Sequence, residues 1–494
     1  MPVTNSNDSL CMQNRFLFLC CLALLFSAVR LNSQQLISSS LLGSKTQAQL
    51  YAEFNIPFIQ FGAKYYKITY TTHNLSGMPD TVSGLLAIPD NPNKVYPRLV
   101  YQHGTSGSKQ DVPSVNYNGG EGSLGLLFGG LGYVAVLPDY LGLGVSDGFH
   151  PYVHAESEAW VAADMLRAVA DFTAANGGQT NAQLFVTGYS QGGHAAMALH
   201  REIEKNLSSE FTVTAAAPCS GPYSIGEVMR QLILTDEVYY YPAYIPNTAL
   251  SYQTAYGNIF SQLTDIFKPV YAGMIGQFYN GNITLSQLND QLITALVTNE
   301  GASRPFKMLQ DSIVQVLETT PDHAINLALK ANNTYTDWTP QAPTRLFYCM
   351  ADDQVPFENS ILARDSLLAA SAVDLQILDV NPTADHGDCF VPALTNTLFF
   401  FLGFQQIGNV SSVNTLGKGE LDIFPNPANE WLTLKSLPGK GQLRIIDYFG
   451  KVLHSAALTE GDQQISVKEV PNGIYMVEYQ VRNQTWRTKL IVQH

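Results

Sequence analysis

Charge is scarce in this chain and biased to one sign. Of 494 residues, 14% are charged, and 41 acidic against 27 basic side chains leave a formal net charge of -14. Such a chain lacks the basic field that grips nucleic acid or an anionic membrane, so a neutral substrate is the natural expectation. Long apolar runs are also few. The stretch "FLFLCCLALLFSAV" (Phe16 to Val29) is too short for an ordinary transmembrane helix. Cysteine is sparse: there are six, and Cys11, Cys20 and Cys21 lie at the extreme N-terminus. The remaining Cys219, Cys349 and Cys389 are odd in number and show no paired spacing, which excludes a disulfide scaffold and a zinc site. Whether Cys219 and Cys389 pair stays open.

What is present begins with a leader. Arg15 precedes the apolar run and polar "RLNSQQ" follows it, the order of a secretory signal peptide over residues 1–33, with Met12 an alternative start and cleavage between Ala28 and Gln35. Cys20 and Cys21 sit inside the run without a small residue before them, so lipid attachment is not expected.

From about residue 38 to 405, short apolar strands alternate with helical stretches, the pattern of an α/β fold with a mainly parallel sheet. "YYKITYTTH" and "TVSGLLAIP" read as an early strand pair. "PRLVYQHG", "GYVAVLPD", "AQLFVTGYS", "FTVTAAAPCSG", "TRLFYCMADD" and "VDLQILDV" follow as strands. "HAESEAWVAADMLRAVADFTAAN" and "QGGHAAMALHREIEKN" carry helical spacing between them. Residues 223–342 break the rhythm with helical and aromatic-rich segments, which predicts a cap inserted between two strands, either purely structural or gating a site. Residues 406–419 are polar and rich in Gly, Asn and Ser, a linker. Over 420–494 the stretches "WLTLKS", "QLRIIDYFGKVLHSAAL", "QQISVKEV", "GIYMVEYQV" and "RTKLIVQ" predict a small all-β sandwich.

The chemistry centres on "FVTGYSQGGHAA". Ser190 stands in Gly188-Tyr189-Ser190-Gln191-Gly192, a G-x-S-x-G motif between a strand and a helix. A nucleophile on so sharp a turn demands small residues two before and two after it, and the new helix aims its first N–H groups at the attacked carbonyl. The plainer reading is a serine that caps the helix. A serine nucleophile needs a base and an acid to orient it. His386 in "ADHGD" is the one histidine of the large domain beyond the acid strand, since His323 precedes it and His454 and His494 lie in the tail. Asp352 and Asp353 compete as the acid, and spacing alone does not separate them. For the oxyanion, the Gln191 N–H is the first donor, and the loop after "RLVYQHG" offers Thr105, or next to it Ser106, as the second.

Through "YQHGT", "PDYLGLGVSD", "GYSQGG", "ADDQVP" and "ADHGD" in that order, residues of roughly 60 to 403 resemble an α/β-hydrolase, and more narrowly the secretory lipases and related esterases. The resemblance implies Asp352 as the acid, because the family commonly carries Asp-x-x-Val-Pro there. It also implies hydrolysis of carboxylic esters through an acyl-enzyme, with the cap over the acyl site and no metal or organic cofactor. A peptidase or amidase could use the same triad, and a non-catalytic binding protein the same scaffold. The tail, through "DIFPNPANEWLTL", "IIDYFGKVL", "NGIYMVEY" and "TKLIVQ", resembles the C-terminal sorting domain of the type IX secretion system of Bacteroidetes. That implies export to the surface or beyond through the secretion machinery, the alternative being an accessory polymer-binding module. Elsewhere His150 and His154 are separated by Pro151 and the helix start, which disfavours a metal pair. His194 shares a helix face with Ser190 and reads as packing or support. Tyr140 is placed to line a pocket.

Overall fold

The computed structural model describes residues 35–176, 178, 180–410, 421–447, 450–481 and 484–494. The expected signal peptide and most of the expected linker lie outside the described residues. In chain order the large domain runs β1 (Leu36–Lys45), α1 (Gln47–Phe54), β2 (Ala63–His73), β3 (Pro79–Pro89), β4 (Lys94–Gln102), α2 (Ser123–Gly130), β5 (Val134–Pro138), α3 (Ala155–Ala175), β6 (Thr180–Tyr189), α4 (Gln191–Asn206) and β7 (Ala215–Cys219). The cap follows: α5 (Arg230–Leu234), α6 (Tyr244–Tyr256), α7 (Pro269–Tyr279), α8 (Leu285–Glu300), α9 (Asp311–Thr319) and α10 (Ala324–Ala331). The chain then returns to the sheet with β8 (Thr344–Tyr348), α11 (Glu358–Ala369), β9 (Leu375–Asp379), α12 (His386–Leu402) and the short β10 (Gly408–Asn409).

The sheet order is β1-β2-β3-β5-β4-β6-β7-β8-β9, with β10 added against β4. β4 to β9 are mutually parallel, whereas β1, β2 and β3 form an antiparallel meander that joins β5. Alternation along a strand decides which layer each side chain enters. In β5, Ala135 and Leu137 face the layer holding α2 and α12, while Val134 and Val136 face the layer holding α3 and α4. Both faces are therefore covered, which parallel strands require.

β1 was not expected. Its serines leave it exposed along most of its length, so no apolar alternation marks it as a strand. α2, "SLGLLFGG", also escaped notice: seven of its eight residues are buried, so it has no polar stripe to betray a helical period. The cap has a core of its own around Phe267, Leu288, Leu292 and Met308. α8 is set by a capping box in which Thr284 and Gln287 exchange hydrogen bonds with each other's backbone.

The tail contains β11 (Asp422–Phe424), β12 (Trp431–Leu437), β13 (Gly441–Ile446), β14 (Val452–Leu458), β15 (Gly461–Ser466), β16 (Gly473–Val481) and β17 (Gln484–Val492). They form a three-stranded sheet, β11-β12-β15, and a four-stranded one, β14-β13-β16-β17, closed over a shared core. The stretch "QLRIIDYFGKVLHSAAL" supplies two strands, β13 and β14, which pair antiparallel.

Candidate functional site

Four parallel strands deliver the candidate residues from the same edge of the sheet. β6 ends at Tyr189, and Ser190 follows with φ 59° and ψ −124°, backbone angles that L residues rarely adopt. Packing forces this turn. A Cβ at Gly192 would lie 1.9 Å from the Gln102 carbonyl oxygen, and one at Gly188 would lie 2.2 Å from that of Gly192. Glycines at both positions let β4, β6 and α4 close on one another. The Ser190 side chain makes no capping bond to α4, so helix capping does not account for this serine.

β8 leads to the two aspartates, and the structure separates them. Asp352 Oδ2 accepts from His386 Nδ1–H at 2.6 Å, and its other oxygen accepts from the N–H groups of Gln354 and Val355. Its side chain is 2% exposed. Asp353 is exposed and accepts only the His386 backbone N–H at 3.2 Å and a longer bond from the Tyr241 hydroxyl. His386 opens α12, where Asp385 caps the helix through the Asp388 N–H. The Tyr189 hydroxyl donates to the His386 carbonyl at 2.6 Å and the two rings lie 5.0 Å apart, which seats the imidazole beside the serine turn. With Nδ1 given to Asp352, the free face of the ring is Nε2.

A disulfide joins Cys349, at the end of β8, to Cys389, in the first turn of α12. Cys219 stays free and buried, its thiol pushed up to about 12 by burial. The pairing left open between Cys219 and Cys389 is thus corrected. Cys219 lies within the sheet at the end of β7, with its sulfur against Ala217 and Thr397. The bond closes a loop of 40 residues that contains both Asp352 and His386. Chain entropy puts such a cross-link at about 4 kcal/mol. Cys389→Ser is expected to lose about 3–4 kcal/mol by that estimate, read as a lower urea midpoint for the large domain. An unchanged midpoint would show that the loop is held by packing alone.

Gln191 begins α4, directly after the serine, and Thr105 follows the end of β4. Neither backbone N–H donates a hydrogen bond among the described residues, so both are available to a ligand. The Thr105 hydroxyl donates to Tyr152 at 3.3 Å, and the Ser106 hydroxyl is buried without a partner. An apolar pocket includes Ser190 in its lining and runs beneath the cap, lined by Met229, Leu232, Ile233 and Ile245 from the cap and by Tyr152 and Val355 from the base. No charged side chain lines it among the described residues.

Tyr140 does not reach this pocket. It is buried at φ 71°, its ring stacks on His103 and its hydroxyl donates to the His103 carbonyl. His150 and His154 hold no metal site: His150 bonds to Gln191 and Leu141, and His154 caps α3 through the Ser157 N–H. No cluster of metal-ligating side chains occurs among the described residues. Glu158 and Glu121 carry no signal in the sequence, yet Glu158 bonds the side chains of Gln191 and His194, and Glu121 the Gly104 N–H. A glutamate in the first turn of a helix reads as surface charge, and nothing in its neighbours says otherwise.

The comparisons agree with this architecture. Residues 422–493 match the model of the secretion system C-terminal sorting domain. The tail is a sorting domain and the protein is secreted or displayed at the cell surface; no helix among the described residues is long and apolar enough to cross a membrane. No curated protein sequence matches the chain. Among solved structures, the rice cell wall degrading esterase LipA from Xanthomonas oryzae is 27% identical over 74% of this chain and 96% of its own, with a TM-score of 0.63. The protein lpg1103 from Legionella pneumophila is 27% identical over 77% of this chain and 100% of its own, with a TM-score of 0.67. Candida antarctica lipase A, 16% identical over 75% of this chain and 82% of its own with a TM-score of 0.57, shares the fold. The large domain has the α/β-hydrolase architecture.

Proposed function

We propose that the protein is a secreted serine hydrolase that cleaves carboxylic esters through an acyl-enzyme. The observation that carries this reading is the Asp352–His386 hydrogen bond beside a strained Ser190 at the mouth of an apolar pocket. Ser190 Oγ attacks the ester carbonyl while His386 Nε2 takes its proton, and Asp352 holds the ring and steadies the imidazolium. The carbonyl oxygen, now negative, lies against the N–H groups of Gln191 and Thr105. Collapse expels the alcohol, which leaves with the proton from His386. Water then repeats the sequence on the acyl-enzyme, freeing the acid and restoring Ser190. No step calls for a cofactor. The similarity to the esterase LipA supports this reaction class.

A peptidase on the same triad would need an anchor for a charged terminus, and the uncharged pocket argues for a neutral acyl group instead. The test is a series of p-nitrophenyl esters of rising acyl length beside aminoacyl anilides. Each added methylene that the pocket buries contributes about 0.8 kcal/mol, so kcat/KM is expected to rise roughly fourfold per carbon until the pocket is full. Anilide turnover equal to or above ester turnover would overturn the ester reading in favour of the amidase.

A further inference from the structure

Two carboxylates outside the triad lie directly behind the two segments that present the oxyanion donors. We propose that Glu158 and Glu121 are positioning residues of the oxyanion hole, each fixing one of its halves. This rests on the reading above of Gln191 and Thr105 as the donors.

Glu158 belongs to the first turn of α3, and its side chain is wholly buried. Its Oε1 accepts from Gln191 Nε2–H at 2.9 Å and its Oε2 from His194 Nδ1–H at 2.7 Å. The second Gln191 Nε2–H goes to His150 Nε2 at 2.8 Å, and His150 Nδ1–H to the Leu141 carbonyl at 2.8 Å. Burial pushes His150 down to about 4, so near neutral pH its Nε2 stays an acceptor. His194 Nε2 lies 2.9 Å from the Asn332 carbonyl, so both ring nitrogens of His194 face oxygen acceptors. The Gln191 amide is therefore held one way round. Its two N–H bonds are both spent and its Oε1 is buried without a partner, so a flip would turn oxygen onto the Glu158 carboxylate. The residue after Ser190 is anchored by its side chain, and its backbone N–H direction with it.

Glu121 does the same for the other half. Its two oxygens accept the Gly104 N–H at 3.1 and 3.0 Å, and one of them accepts the Tyr101 hydroxyl at 2.5 Å. Withdrawal from water pushes its carboxyl above the usual range, against the pull of His103, Tyr101 and the Gly104 N–H. Gly104 lies against it so closely that a Cβ there would stand 2.9 Å from Oε1, and Thr105 is the next residue. Both carboxylates are withdrawn from water at a cost, and their hydrogen bonds run to the two segments that carry the donors. What they supply is direction. An oxyanion donor must point at an oxygen that exists only in the transition state.

The full-length protein with a p-nitrophenyl ester tests this, alongside an alkylboronic acid that forms a tetrahedral adduct on Ser190. Glu158→Ala is expected to lower kcat by about 30- to 100-fold with KM within about threefold, and to weaken boronate inhibition by the same factor, because a donor moved out of line loses much of its effect. Glu158→Gln should return kcat to within about fivefold of wild type, since its amide oxygen keeps the bond from Gln191 Nε2–H and with it the anchor of the residue after Ser190. Glu121→Ala and Glu121→Gln should repeat the pattern. If Glu158→Ala does not fold, Gln191→Met decides: it keeps the backbone N–H and the Glu158–His194 pair and cuts only the anchoring bonds, so kcat should fall about tenfold or more. Folded Glu158→Ala or Gln191→Met with kcat and boronate affinity within about twofold of wild type overturns the proposal, as does an effect confined to KM. A wild-type protein without ester turnover overturns the reading of the site instead.

Discussion

Ser190→Ala should abolish ester turnover while leaving the fold untouched. Loss of the nucleophile in a triad of this kind costs on the order of 10^6 in kcat, and what survives comes from the oxyanion donors and from binding alone. The variant is a clean one here because the Ser190 hydroxyl caps nothing, so no structural hydrogen bond leaves with it. Thermal unfolding should match wild type, and burst release of p-nitrophenol should vanish. Ser190→Gly makes the companion test. The angles at this position, φ 59° and ψ −124°, suit glycine, and backbone strain of this kind costs about 1–3 kcal/mol. The glycine variant should be equally dead and more stable than the alanine one. Turnover that persists in either would remove Ser190 from the chemistry.

The neighbouring aspartates should behave very differently from each other. Asp352→Asn is expected to lower kcat by about 10^3 to 10^4, since an amide in place of the carboxylate presents an N–H to His386 Nδ1 and holds the imidazole in the tautomer whose Nε2 cannot take a proton. The backbone bonds from Gln354 and Val355 to Oδ1 survive in asparagine, so the loop should keep its shape. Asp353→Asn should stay within about threefold of wild type, because an amide oxygen can still accept the His386 N–H and the side chain faces water. Equal losses in the two variants, or the larger loss in Asp353→Asn, would reassign the acid.

The elements most readable in the sequence are those that solve one physical problem each. A serine between glycines at a strand end announces a tight turn. Only His386 among the histidines beyond the acid strand lies in the large domain, and α3 and α4 declare themselves by helical period. Alternation marks most strands of the parallel sheet, but β1 has serines where apolar residues would show, and α2 is buried on all sides. Contacts between distant segments are the hardest to read. The choice of Cys349 over Cys219 as partner for Cys389 depends on the adjacency of β8 to the first turn of α12, which no spacing encodes. Glu158 meets Gln191 across two helices, and its value as a support rather than a surface charge is set by burial alone.

The order of elements along the chain has a bearing on when the protein can act. Translation delivers Ser190 early, Asp352 after the whole cap, and His386 last, at the head of the final helix of the large domain. On the proposed mechanism, Ser190 has no base until β9 and α12 have emerged and docked. The covalent link between the acid and base loops needs an oxidising compartment, which the cytoplasm of the cell making the protein is not. The loop that carries Asp352 and His386 therefore gains its cross-link, and the stability that comes with it, only after the chain has left its site of synthesis.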